Sequence, residues 1–330
     1  MPAAAPTIPE LVAGLERGER RALARLLTLV EDGRPEQLRE LVAELYPRTG
    51  RARVIGITGS PGVGKSTLTD AIATQLRAQG RSVAILAVDP SSPFSGGALL
   101  GDRVRMQSHH ADDKVYIRSM ASRGHLGGLS FATPQAVLVL DAAGFDDVIV
   151  ETVGVGQSEV EIAATADSTV VSLAPGMGDG IQAAKAGILE VADIFVINKA
   201  DHPGAGKLAS ELQGMLELGH SVEEADAEPG WWPPIQRTVA VRGEGIAELV
   251  ETFDAHGRHL DGSGQRRERL RHRAVHTVRE IALEQVRRRF ARLDDGRDPL
   301  LEALAAKVAS RDLDPYTAAD ELLDALEGGR

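Results

Sequence analysis

The stretch Gly59-Ser60-Pro61-Gly62-Val63-Gly64-Lys65-Ser66-Thr67 has residue types and spacing suited to holding phosphate, because it fits G-x-x-x-x-G-K-[ST]. Glycines admit positive φ and let backbone amides approach phosphate oxygens, and the N-terminus of a following helix adds partial positive charge. Lys65 would pair with the β and γ phosphates of a nucleotide, and Ser66 would ligate Mg²⁺. The string follows the apolar run RVIGITG (53–59) and precedes an amphipathic stretch, which is the strand, loop and helix context this chemistry needs. A plain glycine-rich turn is the competing reading. Farther along, Asn198-Lys199-Ala200-Asp201 closes another apolar run and fits N-K-x-D. A carboxylate at Asp201 can accept hydrogen bonds from both N1–H and the 2-amino group of guanine. Adenine has neither donor on that edge and would leave the acceptor unpaired, so the two motifs together point to GTP and GDP rather than ATP.

Two acidic residues stand between these motifs at the ends of apolar runs: Asp89 closes SVAILAVD (82–89) and Glu151 lies in DVIVET (147–152). Glu151-Thr152-Val153-Gly154 has the spacing of a D-x-x-G switch with Glu in place of Asp. Its glycine amide would sense the γ-phosphate and its carboxylate would hold Mg²⁺ through water. Val155 follows where Ras-like enzymes place a water-orienting glutamine, so slow intrinsic hydrolysis is expected. Carboxylates at strand ends also serve as helix caps, which is the alternative for both residues.

To bring these side chains together, several strands must end on one edge. The runs at 53–59, 82–89, 115–120, 147–152, 168–174, 193–201 and 236–241 are short, β-branched and nearly continuously apolar, with helical patterns between them. Such runs predict an α/β fold, a P-loop NTPase with a mostly parallel central sheet flanked by helices. Helical extensions are expected at both ends. Leu11, Leu15, Leu23, Leu26, Leu27, Val30, Leu38, Leu41 and Leu45 recur at helical spacing around Gly33-Arg34-Pro35, which predicts a helical hairpin. DGSGQ (261–265) reads as a linker to three helical segments with no strand between them. The expected organisation is an N-terminal helical extension at 1–48, a nucleotide-binding domain at 49–260 and a C-terminal helical arm at 261–330. The formal charge of −11 argues against nucleic acid or an anionic membrane as the main partner. The absence of cysteine excludes disulfides, thiolate nucleophiles and Cys-ligated zinc. No secretory pattern and no long apolar segment occur, so a cytoplasmic location is expected.

Four segments carry a more specific signal: VDPSSPFSGGALLGDRVRM (88–106), ETVGVGQSE (151–159), PGMGDGIQAAKAG (175–187) and INKAD (197–201). Together they resemble the MeaB/ArgK family of P-loop GTPases, the chaperones of adenosylcobalamin-dependent methylmalonyl-CoA mutase, over essentially the whole chain. The resemblance implies a homodimer formed through the C-terminal arm, and GTP hydrolysis that gates cobalamin loading and protects the mutase. It also implies that Asp89 and Asp102 lie in a switch I region as metal-organising aspartates, with Glu151 as the switch II acid. The expected catalytic set is then Lys65, Asp89, Asp102 and Glu151, and the expected metal set is Ser66, Asp89, Asp102 and Glu151. Gly176 to Lys185 resembles the family's switch III, in which Asp179, Gln182 and Lys185 would respond to nucleotide and partner. On the residues alone that stretch is a glycine-rich loop entering a helix, with Gln182 and Lys185 on one face. Arg103 and Arg105 would steady phosphates or Asp102, or make exposed salt bridges.

Several other signals have blander readings. His109-His110 and His125 lack a second ligand cluster at metal spacing, and the pair is read as a solvated helix end. Arg266 to Arg292 holds ten arginines against three glutamates, but it lacks the interleaved aromatics of a nucleic-acid arm and reads as a solvated face on a dimer-forming helix. Trp231-Trp232-Pro233-Pro234 reads as a packed loop anchor. The guanine-stacking loop that many GTPases write as Ser-Ala-Lys should fall near Thr238 to Arg242, where no such string occurs. Two rival functions are an ATP-using kinase tied to amino-acid transport, disfavoured by Asp201, and a nucleotide-holding scaffold without turnover, disfavoured by the intact Lys65 and Ser66.

Overall fold

The computed structural model describes residues 6–90, 109, 111–122, 132–152, 158–176, 191–219, 230–291 and 299–328. Contacts divide the chain into two compact units, Met1–Leu270 and Arg271–Arg330. The first unit opens with three helices, α1 (Ile8–Glu16), α2 (Arg20–Asp32) and α3 (Pro35–Leu45). The predicted break falls between Asp32 and Pro35, but the expected hairpin has one helix more. Gly18, at φ 76°, turns the chain between α1 and α2. Reciprocal bonds start α1: Thr7 N–H donates to Glu10 Oε2 (2.8 Å), and Glu10 N–H donates to Thr7 Oγ1 (3.4 Å). Leu26, Leu27, Leu41 and Leu45 of these helices are fully buried, each contributing roughly 1.5–3 kcal/mol through lost water contact.

Among the described residues, seven strands form one parallel sheet: β1 (Arg53–Thr58), β2 (Val83–Pro90), β3 (Val115–Ser122), β4 (Asp147–Thr152), β5 (Ser168–Leu173), β6 (Ile194–Ile197) and β7 (Ile235–Arg237). Their order is β3-β2-β4-β1-β5-β6-β7, with β1 in the middle between β4 and β5. The intervening helices are α4 (Lys65–Ala78), α5 (Ala132–Ala142), α6 (Ser158–Thr165), α7 (Ala205–Gly219) and α8 (Ile246–Gly262). Strand side chains alternate between two cores, as a sheet covered on both faces requires. Val54, Ala84, Leu86, Val148 and Val150 join α1, α2, α3 and α5 on one face, and Ile55, Ile57, Val83, Ile85 and Ile149 join α4 and α8 on the other.

The last expected strand is shorter than its sequence pattern. It ends at Arg237, and Ala240–Arg242 form a 3₁₀ turn instead of strand. The cause is an antiparallel bridge that folds Val239 back onto Glu244, after which α8 begins at Ile246. The DGSGQ stretch is mostly helical: α8 runs through Gly262 and α9 (Gln265–Ala291) starts at Gln265. In the second unit α10 (Pro299–Ser310) and α11 (Pro315–Gly328) pack together with Leu304 and Ala318 buried. On the arginine-rich α9, the apolar side chains of Leu270, Val278 and Val286 are exposed. Among the described residues no helix is long and apolar enough to cross a membrane.

His109 is buried, not the solvated helix end expected of it. Its Nε2 lies 3.2 Å from Asp70 Oδ1 on α4, and the hydrogen bond it donates to that carboxylate raises its pKa. Trp231 is the packed anchor expected: its Nε1 donates to Asp193 O (2.7 Å) and its ring lies 4.7 Å from that of His256.

His256 sits fully buried, with Nδ1 2.7 Å from Ser168 Oγ and Nε2 3.4 Å from Asp193 Oδ1. Arg269 holds the same aspartate (2.7 Å), and the His259 ring lies 5.5 Å from that of Trp231. Burial pushes the imidazole pKa down to about 4, and the pull of Asp193 only partly opposes that. The unfolded chain therefore takes up a proton near pH 6.5, while the folded chain takes one up only near pH 4. Stability is complete above pH 6.5 and falls as pH drops through this window, by about 2 kcal/mol at pH 5 and about 3 kcal/mol once pH 4 is passed. Urea unfolding at pH 7 and pH 5 should show this loss in the wild type, and His256→Gln should remove that share of the slope. An equal slope in both proteins would refute it.

Candidate functional site

The phosphate loop joins the C-terminal end of the central strand β1 to α4, which starts at Lys65. Two of its glycines are required by what surrounds them. Gly59 has φ 141°, and a Cβ there would sit 2.1 Å from Ser172 O of β5. Gly64 has φ 95°, and a Cβ there would sit 2.6 Å from Asn198 Nδ2. Both positions combine left-handed backbone with contact against a fixed neighbour, so only glycine fits without a shift. Lys65 is buried and its Nζ donates to Gly59 O (2.7 Å) and Ser60 O (3.1 Å), so the ammonium is folded into the loop.

Parallel pairing of Ile57 with Glu151 brings the end of β4 beside the loop. There Ser66 Oγ donates to Glu151 Oε1 at 2.6 Å, and Thr152 Oγ1 donates to Thr58 Oγ1 at 3.0 Å across the two strand ends. A hydroxyl and a carboxylate this close form an all-oxygen donor set, the kind that suits Mg²⁺ better than a soft metal.

Asn198, just after β6, ties the second motif to the first. It is buried, and its Nδ2 donates to Val63 O in the phosphate loop (2.9 Å). Its Oδ1 accepts from Thr238 Oγ1 (3.2 Å) and Ala240 N–H (3.1 Å). Lys199 has φ 55°, rare for a residue with a side chain, and its Nζ reaches Gly62 O (2.8 Å). Asp201 Oδ2 accepts from Arg242 Nη1 at 3.0 Å. Loss of water contact works to raise the Asp201 pKa, but the Arg242 hydrogen bond, a backbone hydrogen bond and the nearby charges of Arg242 and His202 together outweigh it, so the carboxyl stays below its ordinary range and is ionised at neutral pH.

Ser60, Pro61 and Thr67 lie in the loop and the first turn of α4 with the other motif residues. Asp89 stands one residue before the end of β2, in register with Ala121; its side chain falls outside the described residues. Asp102, Gly154, Asp179, Gln182 and Lys185, together with Arg103, Arg105, His110 and His125, also lie outside the described residues. Lys65, Ser66, Glu151, Asn198 and Lys199 are brought to one loop. Thr238 and Ala240 join them through Asn198, and Arg242 through Asp201; the sequence placed the loop at Thr238 to Arg242 but, without a Ser-Ala-Lys string, assigned a role to none of the three. The signal that identifies them is Gly243-Glu244-Gly245 closing a turn directly after a short strand, with both glycines at positive φ.

A phosphate loop at the end of the central strand, where the chain's strand order switches direction, and an N-K-x-D corner bonded to that loop define a P-loop GTPase. The sequence profile of the family described as "Methylmalonyl Co-A mutase-associated GTPase MeaB" matches residues 23–294, and the chain belongs to that family. A protein of Pyrococcus abyssi that carries a GTPase name is 47% identical over 325 residues, covering 98% of each chain. The mouse protein named "Methylmalonic aciduria type A homolog, mitochondrial" is 35% identical, covering 97% of this chain and 80% of its own. A crystal structure of a LAO/AO transport system kinase is similar at a TM-score of 0.68 and 28% identity, covering 97% of each chain.

Proposed function

We propose that this GTPase hydrolyses GTP to GDP and phosphate in order to gate adenosylcobalamin loading into methylmalonyl-CoA mutase and to protect that enzyme. The observation that carries the reading is the family match over residues 23–294, a family described as mutase-associated. The name of the mouse relative, taken from a disorder of methylmalonate, agrees with it. In this reading Gly59 to Thr67 wrap the phosphates with backbone amides, and Lys65 turns from the loop carbonyls toward the β and γ phosphates. Asn198 holds the base corner against the loop, Lys199 flanks the base and Asp201 reads its edge. Ser66, Asp89, Asp102 and Glu151 would hold Mg²⁺, which supplies positive charge to the phosphate oxygens. The Ser66–Glu151 pair supports that donor set. The Gly154 amide senses the γ-phosphate. Asp102 or a switch III residue among Asp179, Gln182 and Lys185 orients the attacking water once the partner is bound.

The same reading assigns 1–48 as a helical cover, 49–260 as the catalytic domain and 261–330 as the arm of a homodimer working in the cytoplasm without nucleic acid or membrane. Exposed Val275, Val278 and Leu283 on α9 support the dimer. The test is steady-state GTP hydrolysis with and without the mutase of the same organism. Acceleration of about a hundredfold is expected, the scale of one group positioned on a reacting phosphate. A rate that the mutase leaves unchanged would keep the GTPase and remove this client.

A further inference from the structure

Asp201 is partly exposed on the turn after β6. Recognition of guanine needs both carboxylate oxygens in the plane of the base edge, opposite N1–H and the 2-amino group. The neighbouring loop supplies a constraint of matching shape. Arg242 spends Nε and Nη2 on Glu244, in two parallel bonds of 2.6 and 3.2 Å, and its remaining Nη1 reaches Asp201 Oδ2 at 3.0 Å. A planar guanidinium held by a two-pronged bond has its third donor direction set, which a lysine ammonium on a flexible stem does not.

The loop that carries this arginine is itself fixed. Val239 N–H donates to Glu244 O (3.0 Å), and Ala200 N–H, one residue before Asp201, donates to Thr238 O (3.0 Å). Gly245 stands where a Cβ would fall 2.1 Å from Arg237 O, so the turn closes tightly under the arginine. Ala240 N–H and Thr238 Oγ1 meet Asn198 Oδ1, and Asn198 Nδ2 meets Val63 O. A continuous set of bonds therefore runs from the phosphate loop through Asn198 and the 238–244 turn to the carboxylate of Asp201.

We propose that Arg242, held by Glu244, is a positioning residue for base specificity: it fixes the Asp201 carboxylate in the rotation that reads guanine. The proposal rests on the GTPase reading of the site and adds a residue to it. Oδ2 can accept from Arg242 and from the base together, because a carboxylate oxygen has two lone pairs. Arg242 thus does the work of orientation without contacting the chemistry of hydrolysis, and Glu244 acts one step further back.

The experiment measures GDP, IDP and ADP binding by calorimetry to the full chain, in the wild type and in Arg242→Ala, Arg242→Lys, Glu244→Gln and the double variant Arg242→Ala/Glu244→Gln. IDP lacks the 2-amino group, so the GDP-to-IDP ratio reports the alignment of the carboxylate. Arg242→Ala is expected to weaken GDP about tenfold and to bring the GDP-to-IDP ratio to within about twofold of unity, leaving the weak ADP affinity unchanged. Arg242→Lys should restore GDP affinity in part and the ratio hardly at all. Glu244→Gln should fall between, and the double variant should match Arg242→Ala, since both act through one bond. A GDP-to-IDP ratio in Arg242→Ala equal to that of the wild type overturns the proposal, as does tighter GDP binding, which would make Arg242 a competitor of the base. A fall in ADP affinity parallel to that of GDP would show a merely structural loss and overturns it too. If the wild type itself fails to prefer GDP over ADP, it is the guanine reading that fails, a result distinct from all of these.

Discussion

Lys65→Ala is expected to lower the rate of GTP hydrolysis by about a thousandfold, which corresponds to about 4 kcal/mol of lost transition-state stabilisation. The charge that develops on the phosphate oxygens during transfer has to be met by groups already in place. Lys65 is the one ammonium that the sequence puts at the mouth of the helix following the loop, and in the structure it is buried against Gly59 O and Ser60 O. Those two carbonyls hold it close to where phosphate would lie, so little reorganisation is needed when nucleotide enters. Lys65→Arg should fare little better, because a guanidinium is bulkier than the buried slot and cannot concentrate its charge in the same point. The measurement is single-turnover hydrolysis at saturating GTP, with thermal unfolding run in parallel to establish that the variant is folded. A folded Lys65→Ala protein turning over within tenfold of the wild type would sink the assignment.

Asp201→Asn is expected to reverse the base preference, weakening GDP by about 100- to 1,000-fold and strengthening XDP over the wild type. Asparagine keeps the shape but turns one acceptor into a donor, which then faces a guanine N–H. Xanthine carries a carbonyl in place of the 2-amino group, so the new amide can donate to it. ADP should remain weak in both proteins, since adenine offers that edge no suitable partner. Competition binding with the three diphosphates decides the matter, and an Asp201→Asn protein that still prefers GDP would place base recognition elsewhere. The substitution also removes one of the two anionic partners of Arg242, but that ion pair is partly exposed and its loss costs little stability.

The sequence was most informative where one chemistry demands one residue type. Gly59 and Gly64 could be read as indispensable because backbone must approach phosphate, and the structure adds the neighbours, Ser172 O and Asn198 Nδ2, that forbid a side chain. The strands were legible because a sheet buried on both faces writes near-continuous apolar runs. The end of the last run was not, since Val239 and Val241 look like strand whether or not the chain folds back, and only the Val239–Glu244 bridge decides it. Within the span where the guanine-side loop is expected, the roles of Thr238, Ala240 and Arg242 were not legible: two of them serve through a backbone amide or a hydroxyl aimed at Asn198, and such contacts carry no fixed residue string. His109 was misread because its partner, Asp70, lies on a helix 39 positions earlier, a proximity that no local pattern encodes.

The bond between Asn198 Nδ2 and Val63 O joins residues 135 positions apart, and β1 finds its two sheet neighbours only in β4 and β5. This has a consequence for biosynthesis. A ribosome making the chain from its N-terminus releases the phosphate loop early, but the loop's braces emerge with Asn198 and then with the turn at 238–244. Until then the nascent loop has neither its base corner nor its far strand, and nucleotide has no shaped surface to select. Capture of GTP or GDP thus coincides with completion of the domain, and at cellular nucleotide concentrations it favours the finished chain over any partly made one by mass action.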